Sequence, residues 1–300
     1  GLVEGVEESR TKIKMFLNEG ISRFPVQVDA IRQGLSDAPV LLLKGPPGTG
    51  KTSFSKAIAT ELERPFIYLS GADLCRSHPA LGVKRVQEVF AAARRTGAII
   101  FIDEIDAIGS REASTGVYDV VINALLVELD GFNGRQVLVI AATNRPECLD
   151  PALVRNGRLH TRIYLGCLTN ADDRRELISK CVAAADVCFE EGVLDFAVSC
   201  TYDWSPANVK SLLDHAIRFA LDENRAISRR DIAEAMHKEH FGEETQKIPL
   251  SAEKVRSVAV HESGHALASS LLGLEWVQVT INGSGNALGY LQHSSENHEC

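Results

Sequence analysis

The sequence lacks long hydrophobic runs, a surplus of positive charge and paired cysteine motifs. Its longest apolar runs have the length of β-strands and fall short of the roughly 18 apolar residues that a membrane-spanning helix needs. Lys and Arg number 32 against 40 Asp and Glu, which leaves a net charge of −8 and argues against nucleic acid as a partner. The seven scattered cysteines form no Cys-x-x-Cys pair, which argues against a disulfide framework or a zinc knuckle and favours a reducing compartment.

The composition that remains is that of an ordinary globular protein. The chain has 300 residues, of which 45% are hydrophobic and 24% are charged, so it can bury a core in one large or two ordinary domains. It starts at Gly1 and no signal peptide follows. We therefore expect a soluble piece of a longer protein.

The order of predicted elements begins with an α/β pattern. After a helix-compatible segment at residues 3–16, short β-branched runs alternate with amphipathic stretches between residues 39 and 166, as in a parallel sheet covered on both faces. The predicted strands are residues 40–43, 66–69, 99–102, 137–141 and 162–165. The predicted helices are residues 52–63, 84–95, 117–129 and 151–155.

Helices dominate the rest of the chain. Beyond Gly166 the β signal stops, and helices are predicted at residues 171–184, 191–198, 206–221 and 228–240. A charged linker then precedes a long helix at residues 252–272, with Ser251 as its N-cap and Gly273 as its stop. Two further strands are predicted at residues 277–281 and 288–292.

A glycine-rich loop between the first predicted strand and helix matches the phosphate-binding pattern G-x-x-x-x-G-K-[ST]. The loop reads Gly45-Pro46-Pro47-Gly48-Thr49-Gly50-Lys51-Thr52. Its glycines let backbone N–H groups curl around phosphates, and the following helix adds the positive end of its dipole. We expect Lys51 to contact the β- and γ-phosphates of a nucleotide and Thr52 to bind Mg²⁺.

Two acidic residues end the third predicted strand. Asp103 and Glu104 directly follow residues 99–102, which places them at the carboxyl edge of the sheet, where ligands bind in open α/β folds. Asp103 is expected to hold Mg²⁺, and Glu104 to orient and deprotonate the attacking water. Asp106 is interpreted as the start of a helix.

Polar residues after the fourth predicted strand supply further candidates. Asn144 follows the apolar run at residues 137–142 and is expected to hydrogen-bond the γ-phosphate or the water. Arg155 and Arg158 lie three residues apart, on a predicted short helix and the turn after it. They are poorly placed for their own nucleotide and suit a neighbouring subunit's γ-phosphate, as arginine fingers. The alternative is a solvated basic patch.

A second chemistry is predicted inside the long helix at residues 252–272. His261 and His265 enclose Glu262 in the pattern H-E-x-x-H. Residues four apart share one helix face, so both imidazoles can bind one Zn²⁺, with Glu262 as the general base for a water on the metal. The alternative is two solvated histidines on an amphipathic helix.

These segments together resemble the AAA+ ATPases. Residues 45–52, 99–106, 142–146 and 149–158 look like the Walker A, Walker B, sensor 1 and second-region-of-homology segments. The resemblance implies ATP and Mg²⁺ as cofactors, a P-loop sheet of order 5-1-4-3-2 and a helical lid. It also implies a hexameric homo-oligomer with nucleotide at the subunit boundaries.

The order of the two motifs resembles the FtsH-type ATP-dependent zinc metalloproteases. This likeness implies protein substrates that a ring unfolds and threads to a Zn²⁺ peptidase site. We expect a nucleotide-binding subdomain at residues 1–166, a lid at 167–241, a linker at 242–250 and the start of a mainly helical peptidase domain at 251–300. The family's membrane anchor implies a membrane-associated parent, with this part in the cytoplasm or an organelle matrix and attached only through segments outside this chain.

The sequence departs from the family pattern in three places. The family's third zinc ligand is an aspartate far downstream, which these 300 residues do not include. His78 stands where the substrate-gripping loop usually has an aromatic residue. Asn156 and His160 replace the usual Pro and Asp near the arginines. The missing ligand and His78 favour one alternative, a remodelling chaperone without protease activity. A second alternative is a nucleotide-gated assembly scaffold, against which Glu104 and the two arginines argue.

Overall fold

The computed structural model describes residues 40–76, 79–109, 117–130, 137–155, 158–159, 161–241, 251–273, 276–281 and 290–293. The chain divides into two compact units at the boundary between Gly166 and Cys167. The predicted segment at residues 3–16, the linker at 242–250 and His78, Asn156 and His160 lie outside the described residues.

The first unit is built on five parallel strands. They are β1 (Val40–Lys44), β2 (Phe66–Ser70), β3 (Ile99–Asp103), β4 (Val139–Thr143) and β5 (Thr161–Tyr164). Their order across the sheet is β2-β3-β4-β1-β5, with every pairing parallel. Read from the other edge this is 5-1-4-3-2, which confirms the predicted fold class.

Helices connect these strands. They are α1 (Lys51–Glu61), α2 (Gly71–Arg76), α3 (Pro79–Thr96), α4 (Asp106–Gly109) and α5 (Val117–Leu129), and a 3₁₀ turn covers Pro146–Cys148. The sequence pattern did not predict α2, because it is too short to show a helical period.

The predicted helix at residues 151–155 is wrong: the backbone there forms a series of turns. Asp150 explains the difference, since its side chain accepts the N–H of Ala152 at 2.6 Å and its carbonyl accepts the N–H of Leu153 at 3.0 Å. Such local bonds from an aspartate favour a turn over a continuing helix.

The sheet is buried on both faces because successive strand residues point to opposite sides. In β1, Val40 and Leu42 pack in one core cluster, and Leu41 and Leu43 pack in another. The first cluster includes residues of α3 and α5, and the second includes Phe54 of α1. A strand with two buried faces reads as a continuous apolar run, which is why these strands could be located from the sequence.

The strand register brings the ends of β1, β3 and β4 to one edge. Lys44 pairs with Thr143, and Ile102 pairs with Ala141. Because all strands run in the same direction, the P-loop, the Asp103-Glu104 pair and Asn144 leave the sheet from that edge.

The second unit begins with four helices, α6 (Ala171–Ala183), α7 (Val193–Cys200), α8 (Pro206–Asp222) and α9 (Arg229–Phe241). Asn170 caps α6 through the N–H of Asp172, and Ser205 caps α8 through the N–H of Asn208. Arg174 is fully buried and donates to the carbonyls of Leu168, Thr169 and Val198, which satisfies its charge inside the apolar core of these helices.

A long helix and a hairpin follow. The helix α10 (Ala252–Leu271) begins after Ser251, whose hydroxyl accepts the N–H of Lys254 at 3.3 Å, as the sequence predicted. It ends before Gly273, whose φ is +73°. Strands β6 (Trp276–Thr280) and β7 (Tyr290–His293) pair antiparallel.

Candidate functional site

The phosphate-binding loop joins β1 to α1 through residues with unusual backbone angles. Gly48 and Gly50 have φ values of +76° and +87°, which favour glycine. Gly50 is the N-cap of α1 and has no side chain to bind the first N–H groups of the helix. Those unsatisfied donors and the positive end of the helix dipole form the kind of site that binds phosphate oxygens.

Gly45 is required for a different reason. A Cβ at this position would lie 2.0 Å from the carbonyl oxygen of Leu165, just after β5. The loop therefore leaves β1 through a gap that only a glycine fits.

Lys51 lies underneath this loop with its ammonium group bound to backbone carbonyls. Its Nζ donates to Gly45 at 2.9 Å and to Pro46 at 2.7 Å, and Thr49 Oγ1 donates to Pro46 at 2.9 Å. Burial lowers the pKa of Lys51, while the negative charge of Asp103 opposes that shift. The lysine is thus held at the loop, where it can exchange carbonyl oxygens for phosphate oxygens.

The residues present fit a magnesium ion at the end of β3. Thr52 Oγ1 donates to Asp103 Oδ2 at 3.3 Å, although the two residues are 51 positions apart. A hydroxyl and a carboxylate are the hard oxygen ligands that Mg²⁺ uses beside nucleotide phosphates. The structure brings this predicted pair together.

Sequence reasoning missed Tyr68 at the same carboxylate. Its hydroxyl donates to Asp103 Oδ2 at 3.3 Å, because β2 lies beside β3 in the sheet. Burial and the charge of Asp103 raise the pKa of Tyr68. No motif marks this tyrosine, and only the pairing of the two strands reveals it.

Glu104 has an exposed side chain on a constrained backbone. Its φ is +50°, in the left-handed region that costs a non-glycine residue about 1 kcal/mol or more. Its carbonyl accepts the N–H of Ala107 at 2.9 Å and lies against Gly71, where a Cβ would approach it to 2.4 Å. Contacts from two helices therefore fix the turn that carries this carboxylate.

Asn144 and Asp106 lie at neighbouring strand ends. Asn144 is exposed directly after β4, as predicted. Asp106 starts α4, as expected, but it is also buried and bonded to Thr143 and Arg145 on either side of Asn144. No motif signalled this second role.

The two candidate arginines have different environments. Arg155 is exposed. Arg158 binds both carboxylate oxygens of Asp130 at 2.7 and 2.8 Å and donates to the carbonyl of Ala152 at 2.8 Å. The ion pair raises the pKa of Arg158 and lowers that of Asp130. Within one chain Arg158 thus has a carboxylate partner, which sequence reasoning did not predict.

The two histidines of α10 converge as zinc ligands would. Their Nε2 atoms are 3.1 Å apart. Two nitrogen ligands of a tetrahedral zinc ion are roughly 3.3 Å apart, given Zn–N bonds of about 2.0–2.1 Å. His261 and His265 therefore fit the metal, and Glu262 between them is buried.

A complete set of three ligands is not found among the described residues, in which no group of three or more His, Cys, Asp or Glu side chains could hold a metal ion. In the same part of the chain, no helix has both the length and the apolar character to cross a membrane.

Comparison with known proteins finds similarity to AAA ATPases and to ATP-dependent zinc metalloproteases. A model of the AAA family, described as the ATPase family associated with various cellular activities, matches residues 41–167. The ATP-dependent zinc metalloprotease FtsH 3 of Sphaerobacter thermophilus is 39% identical over 297 residues, which cover 96% of this chain and 59% of the relative. The ATP-dependent zinc metalloprotease FtsH of Thermus thermophilus is 36% identical over 311 residues, which cover 98% of this chain and 48% of the relative.

A third relative shows the same pattern. The ATP-dependent zinc metalloprotease FtsH of Sulfurovum is 35% identical over 99% of this chain and 45% of its own length. The chain thus spans about half the length of the curated relatives it matches. It carries a AAA ATPase domain at residues 41–167, and over nearly its whole length it is a homologue of the FtsH ATP-dependent zinc metalloproteases.

Proposed function

We propose that this chain hydrolyses ATP and that the hydrolysis drives protein substrates to a zinc peptidase site on the same polypeptide. The main support is the presence of two separate constellations, Thr52 beside Asp103 and His261 beside His265. The names of the relatives couple ATP use to zinc proteolysis. Because the chain spans only part of those relatives, coupling in this protein is our inference.

In the proposed ATPase reaction, each residue has one task. Lys51 leaves the carbonyls of the loop and neutralises charge on the β- and γ-phosphates. Thr52 and Asp103 hold Mg²⁺, which when bound neutralises charge on the phosphate oxygens. Glu104 orients the attacking water and accepts its proton, and Asn144 hydrogen-bonds the γ-phosphate or that water.

The arginines are proposed to act on the next subunit of a homohexamer. Arg155 is exposed on its own chain, which suits a role at a subunit boundary. Arg158 is held by Asp130, so it reaches a neighbour's γ-phosphate only if that carboxylate releases it or moves with it. A phosphate carries more charge than one carboxylate, which favours the exchange.

At the proposed peptidase site, a zinc ion, when bound, would supply Lewis-acid chemistry for hydrolysis of a peptide bond. His261 and His265 bind the metal through Nε2, and Glu262 accepts the proton from the attacking water and passes it to the leaving amine. Glu262 follows His261 directly on α10 and is buried, whereas the two histidines are exposed.

A second candidate function is protein remodelling without proteolysis. His78 favours it, because an imidazole stands where the family has an aromatic residue that grips a threaded chain. Such a protein would hydrolyse ATP normally and leave its substrates uncut.

Compartment and attachment belong to the same proposal. The scattered cysteines suit a reducing cytoplasm or organelle matrix. Membrane association of a longer parent protein is proposed from the resemblance to the FtsH-type proteases.

The ATPase assignment is tested by replacing Glu104→Gln. Turnover should fall by roughly 10²- to 10⁴-fold, the contribution of a general base, while the Kd for ATP stays within about twofold because the P-loop is intact. Glu63→Gln is the matched control, since Glu63 is also exposed and has a φ of +52°. Turnover that persists in Glu104→Gln would exclude the role assigned to this carboxylate.

The peptidase assignment is tested by zinc binding and casein digestion. The chain should bind zinc in calorimetry, and His261→Ala should abolish the binding. In the full-length parent, Glu262→Gln should stop casein digestion, whereas Glu253→Gln, exposed on the same helix, should not. Casein digestion that survives Glu262→Gln would contradict the proposal, and ATP-dependent unfolding without cleavage would favour the remodelling function.

A further inference from the structure

The carboxylate of Asp106 binds the residues on both sides of Asn144. Its Oδ1 accepts Thr143 Oγ1 at 2.7 Å, and its Oδ2 accepts Nε and Nη2 of Arg145 at 3.1 and 3.0 Å. Thr143 Oγ1 also accepts the backbone N–H of Arg145 at 2.9 Å. One carboxylate therefore fixes the backbone before and after Asn144.

Asp106 and Thr143 are buried, whereas the side chain of Arg145 is 60% exposed. Asp106 is 6% exposed and Thr143 is 1% exposed. A carboxylate at this depth needs charged or hydrogen-bonding partners, and Arg145 and Thr143 supply them. Removal of either partner leaves the carboxylate poorly compensated, so the three side chains hold one arrangement together.

Backbone hydrogen bonds also link the segment around Asp106 to the turn that carries Glu104. It lies two residues beyond Glu104, whose carbonyl accepts the N–H of Ala107 at 2.9 Å. Between them, Ile105 N–H donates to the carbonyl of Ala142 at 3.0 Å. Residues 103–107 and 142–145 thus form one hydrogen-bonded body at the edge of the sheet.

We propose that Asp106 is a positioning residue for ATP hydrolysis, which holds Asn144 in a fixed relation to Glu104 through Thr143 and Arg145. The inference rests on the proposed ATPase function. Hydrolysis needs both side chains at the same water and phosphate, and a misplacement of about 1 Å costs on the order of a hundredfold in rate. Asp106 itself needs no contact with the nucleotide.

The pair Thr143→Val and Thr143→Ser separates positioning from packing. Valine keeps the shape of threonine and loses the hydroxyl, whereas serine keeps the hydroxyl and loses a buried methyl group. We expect Thr143→Val to lower the kcat for ATP by about 10- to 100-fold, with the Kd for ATP within about twofold. Thr143→Ser should restore most of the rate. A role in packing alone would give the opposite order, with serine the more impaired variant.

A second variant tests the carboxylate directly. Asp106→Asn keeps the size of the side chain and removes its charge, and it should reproduce the loss of kcat with ATP binding retained. If Asp106→Asn does not fold, Thr143→Val still decides the matter. A Thr143→Val protein with a kcat within about twofold of the unmodified chain would overturn the inference.

Different results in the ATP turnover assay would overturn the role of Asp106 and the proposed ATPase function. An unmodified chain that turns over ATP only when Glu104 is intact, together with a fully active Thr143→Val variant, overturns the role of Asp106 and leaves the ATPase assignment in place. An unmodified chain without any ATP turnover overturns both.

Discussion

The substitution Gly71→Ala tests whether ATP hydrolysis depends on the position of the Glu104 backbone. A Cβ on Gly71 would lie 2.4 Å from the carbonyl oxygen of Glu104 and 3.1 Å from that of Asp103. Real Cβ atoms essentially never approach other atoms within 3.0 Å, so the two segments must separate by at least about 0.6 Å. Both atoms belong to the main chain, which cannot rotate away as a side chain can.

The expected result of Gly71→Ala is a loss of rate with ATP binding retained. Glu104 already has a φ of +50°, so its turn cannot relax in every direction. A shift approaching 1 Å at the general base lowers kcat by about 10- to 100-fold. The P-loop makes no part of this contact, so the Kd for ATP should stay within about twofold.

The assay is steady-state ATP hydrolysis beside fluorescent-nucleotide binding, with Gly97→Ala as the control. Gly97 precedes β3 and has a φ of +71°, and a Cβ added there would meet no atom within 4 Å. Alanine at this position therefore costs about 1–2 kcal/mol of stability and does not touch the site. If Gly71→Ala has a kcat close to that of Gly97→Ala, the reasoning is refuted. The contact between Gly71 and Glu104 would then affect stability only and not the rate of hydrolysis.

Two further predictions concern the helical unit and the subunit boundary. Arg225 binds Asp231 at 2.5 and 2.8 Å and lowers the pKa of that carboxyl to about 2. The resulting stabilisation, to which hydrogen bonds from Ser228 also contribute, is present above the unfolded pKa near 4 and is lost as the pH falls towards 2. In urea unfolding, Asp231→Asn should therefore be less stable at pH 7, with a difference that shrinks below about pH 4; a constant difference would contradict the ion pair. Chains with Arg155→Ala and chains with Lys51→Ala should each be inactive alone. If Arg155 acts in trans, mixing them should raise ATP turnover by roughly 10³-fold or more. A mixture without activity would argue for action within one chain.

The sheet could be predicted because its physical cause is visible along the chain. Strands buried on both faces are continuous apolar runs, and residues 99–102 and 162–165 lie within one residue of the observed β3 and β5. The start of β4 was predicted two residues early, at 137 instead of Val139. Leu138 is buried and its carbonyl accepts the N–H of Ile100, so apolar character extends beyond the ladder that defines the strand.

The contacts that hold the ATP site could not be predicted in the same way. Tyr68 reaches Asp103 across 35 residues, and Thr143 reaches Asp106 across 37. These contacts depend on which strands are neighbours and on their register, and no local spacing encodes either. A glycine such as Gly71 gives no signal at all until the backbone beside it is known.

The histidine pair, unlike the contacts of the ATP site, could be predicted from local spacing alone. A spacing of four residues on one helix is enough to bring His261 and His265 to 3.1 Å, because the helix itself sets that distance. The same local geometry limits what α10 can supply: two imidazoles on one face leave the other tetrahedral positions of a zinc ion to residues that fold back from elsewhere. The ATP site draws on four segments of one unit and is preorganised by its core, whereas the histidine pair preorganises only half of its ligand shell. The zinc affinity of the histidine pair should therefore depend strongly on a third protein ligand that folds back onto α10.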